Sequence, residues 1–140
     1  MVRFTDLELI QELLRNSRRT YVELAKTFGV TEAAIRKRIK KLESENIIKR
    51  FTIEVDLKKL GFEVHALIGL DSSPEKLIQT LEELQNMKEV VSLYTSSGDH
   101  MILIECWFRN MKQLSDFIKK LEKIDGVTKI CPAIILEKIK

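Results

Sequence analysis

Cysteine and histidine are scarce in these 140 residues, two of each, and no CxxC or His/Cys cluster gathers them. Structural zinc sites need four closely spaced ligands, so the pattern predicts no metal and no cofactor. Cys106 and Cys131 sit in separate apolar, β-like runs and read as small buried hydrophobes rather than a disulfide pair. No apolar run approaches the ~18 residues that span a bilayer. The opening Met1-Val2-Arg3-Phe4-Thr5-Asp6 lacks the charged-then-apolar order of a secretory signal, so a cytoplasmic address is expected. Also missing are paired carboxylates, a nucleophile–base pattern and a phosphate-binding glycine loop, which argues against an enzyme. Low-complexity stretches are absent, and 44% hydrophobic with 32% charged residues is the balance of a folded globular chain.

Charge is unevenly spread. Residues 1–50 hold 12 Lys/Arg against 7 Asp/Glu, whereas residues 51–140 hold 12 against 14. The first third should therefore attract a polyanion and the remainder should not.

Periodicity divides the chain at nearly the same point. Leu7, Ile10, Leu13 and Leu14 recur at helical spacing and predict a first helix over Asp6–Leu14. Thr20 with Glu23 forms a capping-box pattern for a second helix, whose buried side would be Val22, Leu24 and Ala25. Gly29 stands where a helix stops, and Thr31 can cap a third helix running from Glu32 to about Glu45 on the apolar stripe Ala34, Ile35, Ile39 and Leu42. A glycine turn of three or four residues between the second and third helices is the mark of a helix-turn-helix.

From Ile47 the period becomes two. Phe51, Ile53 and Val55 alternate with polar residues and predict a linking strand, followed by a turn or hinge at Lys58-Lys59-Leu60-Gly61. Beyond it, Phe62–Leu70, Val90–Ser96, His100–Phe108 and Val127–Leu136 read as strands. A helix opened by Ser73-Pro74 and carrying Leu77, Ile78, Leu81 and Leu84, and another opened by Asn110, fall between them, and Ser97-Gly98-Asp99 makes a short hairpin. The expected fold is α+β: a three-helix, winged-helix-like DNA-binding domain over residues 1–50, a linking strand and hinge over 51–61, and a ferredoxin-like βαββαβ domain over 62–140. Such a sheet carries both helices on one face and leaves the other bare, which calls for a partner.

The stretch Arg36-Lys37-Arg38-Ile39-Lys40-Lys41 places five cations in six residues. Alone it would be a solvated face, but here it belongs to the second helix of a helix-turn-helix, the one that enters a major groove. Thr31 and Ala33 stand near the helix start, where small residues allow close approach to bases. Arg36 and Lys37 can reach guanine acceptors, and Arg38, Lys40 and Lys41 lie beside them for phosphate. Arg18, Arg19, Lys49 and Arg50 are further candidates for the DNA backbone. A two-fold dimer would present this helix twice and select a pseudo-palindromic double-stranded operator.

Several segments together resemble the leucine-responsive regulator/asparagine regulator (Lrp/AsnC) family, particularly its short archaeal members. They are Asp6-Leu7-Glu8-Leu9-Ile10, Tyr21-Val22-Glu23-Leu24-Ala25, Ile35 through Glu43, Ile47-Ile48 with Phe51-Thr52, and Ser97-Gly98-Asp99-His100. The resemblance spans the whole chain. It implies a sequence-specific transcription regulator, homodimeric through the α/β module and often octameric, with an amino acid effector bound between dimers at the Gly-Asp hairpin. Carried over, that hairpin is Ser97, Gly98, Asp99 and His100. Many members continue Gly-Asp-Tyr-Asp, whereas this chain reads Gly98-Asp99-His100-Met101 and lacks the second carboxylate. The same residues also suit a plain tight turn.

Two other readings stay open at this level. Sirohaem decarboxylases resemble the same two-part fold, with His65 or His100 as an acid or base. An architectural DNA-binding protein without an effector would share the basic helix.

Overall fold

The computed structural model describes residues 4–140, so Met1, Val2 and Arg3 lie outside the described residues. The chain forms two compact units, Met1–Glu54 and Val55–Lys140.

In the first unit α1 runs over Asp6–Arg15, α2 over Tyr21–Phe28 and α3 over Glu32–Ser44. Each helix begins where its sequence supplies a hydroxyl. Thr5, Thr20 and Thr31 have extended backbones and accept hydrogen bonds from the amides of Glu8, Glu23 and Ala34, so a donor of each exposed first turn is satisfied. Gly29 ends α2 at φ 66°, a left-handed conformation that lets the chain reverse into α3. The core is Phe4, Leu9, Leu13, Leu24, Ala25, Ile35, Ile39 and Leu42, each contributing roughly 1.5–3 kcal/mol where a large side chain is fully buried.

Three expectations need correcting here. In α1 the buried residues are Leu9 and Leu13, while Leu7 and Leu14 are 63% and 80% exposed. Leu9 and Leu13 stand one turn apart, and a 100° step per residue carries Leu7 and Leu14 off that line. Val22 in α2 is likewise exposed, and Leu24 and Ala25 alone are buried in that helix. Finally, Phe51–Val55 is not a strand. The four-stranded sheet does not include this segment, and Phe51 and Ile53 are exposed. Among its described residues the first unit therefore has no wing strand.

The second unit starts with a turn over residues 57–61. Asp56 Oδ1 accepts the amide of Lys59, and Gly61 stands at φ 92°. The strands are β1, Val64–Ser72; β2, Val90–Thr95; β3, Ile102–Phe108; and β4, Val127–Ile134. The helices are α4, Leu77–Gln85, entered through a 3-10 turn at Pro74–Lys76, and α5, Met111–Glu122, capped by Asn110. The sheet order is β2-β3-β1-β4 and every pairing is antiparallel, the ferredoxin-like arrangement.

Register explains the layering. Val64 pairs with Phe108, Ala66 with Cys106, Ile68 with Ile104 and Leu70 with Ile102; all eight are buried against Leu84, Leu114, Phe117 and Leu121 of the two helices. The intervening residues His65, Leu67, Gly69 and Asp71 of β1 point to the opposite face, with Leu103, Glu105 and Trp107 of β3 and Cys131 of β4. Apart from Gly69, which His100 covers, they are only half-buried. Ile78, expected inside α4, is exposed, because Thr80 and Leu84 hold its buried line.

Candidate nucleic-acid interface and effector hairpin

With Ile35, Ile39 and Leu42 facing the core, α3 turns Ala33, Arg36, Lys37, Lys40 and Lys41 outward, all exposed. Among the described residues none of these four cations has an ion-pair partner, whereas Arg15, Arg19 and Arg38 of the same unit are paired with carboxylates. Arg38 donates to Asp6 Oδ1 at 2.9 Å and to the Phe4 carbonyl at 3.1 Å, and its guanidinium lies 4.4 Å from the Phe4 ring centroid. Expected beside the DNA, Arg38 instead ties α3 to the start of α1. Arg19, another candidate, is held by Glu12, by Glu23 at 3.9 Å and by Thr27 Oγ1 at 2.5 Å. The Thr31 hydroxyl caps α3 through its oxygen, which leaves its proton to donate. Arg18, Lys49 and Arg50 are exposed. The Arg36 guanidinium carbon lies 5.1 Å from the centroid of the Tyr21 ring.

In the hairpin, Ser97, Gly98 and Asp99 are exposed and Gly98 stands at φ 135°. His100 turns inward. Its ring lies over Gly69, where a Cβ would meet Cδ2 at 2.3 Å, and its Nδ1 is 3.1 Å from Asp71 Oδ2. The other oxygen of Asp71 accepts the Met101 amide at 2.9 Å, and Ser96 Oγ donates to the His100 carbonyl at 2.6 Å. The backbone bond from Met101 and the side-chain bond from His100 hold the Asp71 carboxyl below its usual range, against a smaller opposing effect of burial. Asp71 is not singled out by the sequence, where the expected strand stops one residue before it at Leu70, whereas β1 runs on to Ser72. A carboxylate closing the apolar run Ala66–Leu70 was the available signal.

A second polar group stands on the same open face. Glu105 lies 2.5 Å from His65 Nε2 and accepts from Ser92 Oγ at 2.9 Å. Burial alone would raise its pKa, but the bonds from His65 and Ser92, the charge of His65 and the nearby Trp107 indole outweigh it and lower the carboxyl. Trp107 Nε1 is itself buried without a partner of good hydrogen-bond geometry. Cys106, on the helix side, is pushed up to about 12 by burial and then by the charges of Glu89 and Glu105. Among the described residues no group of His, Cys, Asp and Glu could hold a metal ion, and no helix is long and apolar enough to cross a membrane.

Comparison with known proteins places this geometry in context. Residues 5–43 match the AsnC-type helix-turn-helix domain, and residues 63–140 match the Lrp/AsnC ligand binding domain. The chain is 45% identical over 141 residues to the HTH-type transcriptional regulator LrpA of Pyrococcus horikoshii, covering 100% of both chains. It is 32% identical to the regulator LrpA1 of Halobacterium salinarum, over 97% of this chain and 96% of that one. Among solved structures, AsnC of E. coli superposes with a TM-score of 0.81 at 31% identity, covering 96% of this chain and 92% of the other.

Proposed function

This chain belongs to the Lrp/AsnC family and is a helix-turn-helix DNA-binding transcription regulator; on that footing we propose that Ala33, Arg36, Lys37, Lys40 and Lys41 form the face that reads operator DNA. The observation that carries this reading is the contrast between cations. Those on the outer face of α3 keep their charge free of carboxylates, while Arg38 and Arg19 are spent inside the unit. A free guanidinium or ammonium can replace condensed counterions on DNA, and a neutralised one cannot. Thr31 and Arg18 add backbone contacts, and Lys49 and Arg50 follow along the exposed segment after α3. Two copies related by a two-fold axis select a pseudo-palindrome with half-site centres about 10 bp, or a multiple, apart. For a regulator that acts on DNA we propose a cytoplasmic address. The relatives are named regulators, so the His65–Glu105 pair is read as structural and the sirohaem enzyme alternative falls away.

The test is affinity for an operator obtained by selection from random DNA. Arg36→Ala and Lys37→Ala should each weaken specific binding by ~1–3 kcal/mol while leaving the fold and assembly intact. Unchanged affinity in both variants would remove α3 from the groove.

The hairpin supports a second, finer reading, in which an amino acid effector bound between dimers biases assembly toward the octamer. Asp71 is already engaged by His100 and Met101, which leaves exposed Asp99 as the carboxylate open to an α-ammonium group. Met101, standing where many members carry a second aspartate, instead packs partly against the core. Calorimetry with each of the twenty amino acids should give heat and a change in sedimentation for one of them, both lost in Asp99→Asn. No heat and no size change with any of them would leave residues 97–100 as a turn.

A further inference from the structure

Among the described residues, three arginines of the first unit contact other helices, and they are held in different ways. Arg38 and Arg19 are gripped by carboxylates, which consume N–H donors. Arg36 is held by a ring alone: its guanidinium carbon is 5.1 Å from the Tyr21 centroid, within the ~6 Å range of a cation–π contact. An aromatic face attracts the cation but accepts no in-plane hydrogen bond, so all five guanidinium donors stay available. Tyr21 is itself fixed, as the first residue of α2 directly after the Thr20 cap, and it packs partly against the core of the unit. Its ring thus offers a partly buried platform to a side chain that would otherwise sample many rotamers. Gripping a base edge with a free arginine forfeits that rotamer freedom, and a pre-placed one has less to forfeit.

We propose that Tyr21 is a positioning residue for base recognition: it holds the Arg36 guanidinium in place over its ring, with its donors unspent, for bidentate contact with a guanine in the major groove. The proposal rests on α3 being the recognition helix. It assigns sequence discrimination partly to α2, whose outward residues would otherwise be expected to touch only phosphates.

The experiment uses the full chain and an operator selected from random DNA, with every single-base variant of that operator and an unrelated duplex as controls. Tyr21→Phe keeps the ring and should bind like the parent. Tyr21→Leu and Tyr21→Met lose it and should weaken operator binding about threefold to tenfold. Their binding to unrelated DNA should stay unchanged, and discrimination should narrow at the one base pair where Arg36→Ala also narrows it. Adding either change to Arg36→Ala should cost nothing more. Additive losses, or an equal loss on unrelated DNA, would overturn the assignment. So would a loss in Tyr21→Phe as large as in Tyr21→Leu, which would make the phenol a phosphate contact. Should both aliphatic variants melt near room temperature, nitrogen relaxation at Arg36 Nε in the unaltered protein decides. An Arg36 side chain as mobile as exposed Arg18 refutes the platform, and one clearly more ordered supports it. If Arg36→Ala itself leaves every base preference intact, the reading of α3 has failed, an outcome separate from any result at Tyr21.

Discussion

At the scale of single residues, Gly69 is a position where a side chain has no room. It lies at the middle of β1 on the open face, and the His100 ring occupies the space its side chain would fill. Gly69→Ala must displace that ring, and with it the bond from His100 to Asp71. The cost should be about 1–3 kcal/mol in urea denaturation, the usual range for overpacking. His100→Ala in the same chain should return most of it, because a methyl group then fits where the ring was. A double variant no more stable than Gly69→Ala would show that the β1 backbone, not the ring, rejects the side chain. This contact was invisible in the sequence, since Gly69 and His100 are far apart in the chain and glycine in a strand has no signature of what covers it. His100 was singled out there as a hairpin residue, and its partner could be supplied only by register.

At the scale of elements, the signals that read correctly were those in which a few adjacent residues decide the outcome. Thr20, Gly29, Thr31 and Asn110 each mark a helix boundary where the structure has one, because caps and left-handed turns are local chemistry. Apolar periodicity was weaker. It located α1 and α4 yet admitted Leu7, Leu14 and Ile78, which are exposed, since an apolar residue next to the buried line satisfies the pattern almost as well. It also read a strand at Phe51–Val55, because alternation describes one chain while a strand is a property of two. On the DNA side the outward set on α3 was legible from helical geometry, whereas the capture of Arg38 by Asp6 and Phe4 needed the packing of α3 near the start of α1. The turn between α2 and α3 tests the local kind of signal. Nothing lies within 4 Å of a Cβ at Gly29, so a side chain there is opposed only by the φ of 66°. Gly29→Ala should therefore destabilise by roughly 1 kcal/mol through backbone strain alone. Gly29→Asn should lose less, since asparagine tolerates that region better. Thermal melts of the two variants check the order, and equal losses would point to a role for Gly29 beyond its backbone.

At the scale of the whole molecule, the open sheet face is the surface on which copies of the chain are expected to meet. Leu67, Leu103 and Trp107 are half-buried there, Tyr94 is 56% exposed, and the same face carries Cys131. An apolar surface of this kind is expected to close on a second copy, giving each assembly at least two α3 helices for the two halves of an operator. Leu67→Asp should then shift the sedimenting species to a monomer while helix content is retained, and operator affinity should fall although α3 is untouched. A Leu67→Asp protein that sediments as the parent does would move the contact elsewhere, and a monomeric parent would remove it.

The two cysteines make that assembly chemically observable. The Cys106 thiol is buried on the helix side and, with its ionisation pushed up to about 12, presents almost no thiolate to an alkylating reagent at neutral pH. Cys131 is partly accessible, on the face expected to close. The unaltered protein thus carries a single reporter thiol, whose alkylation should be fast in dilute solution and slow once a second copy covers it. Association could be followed by mass spectrometry, one adduct at a time, with no label introduced.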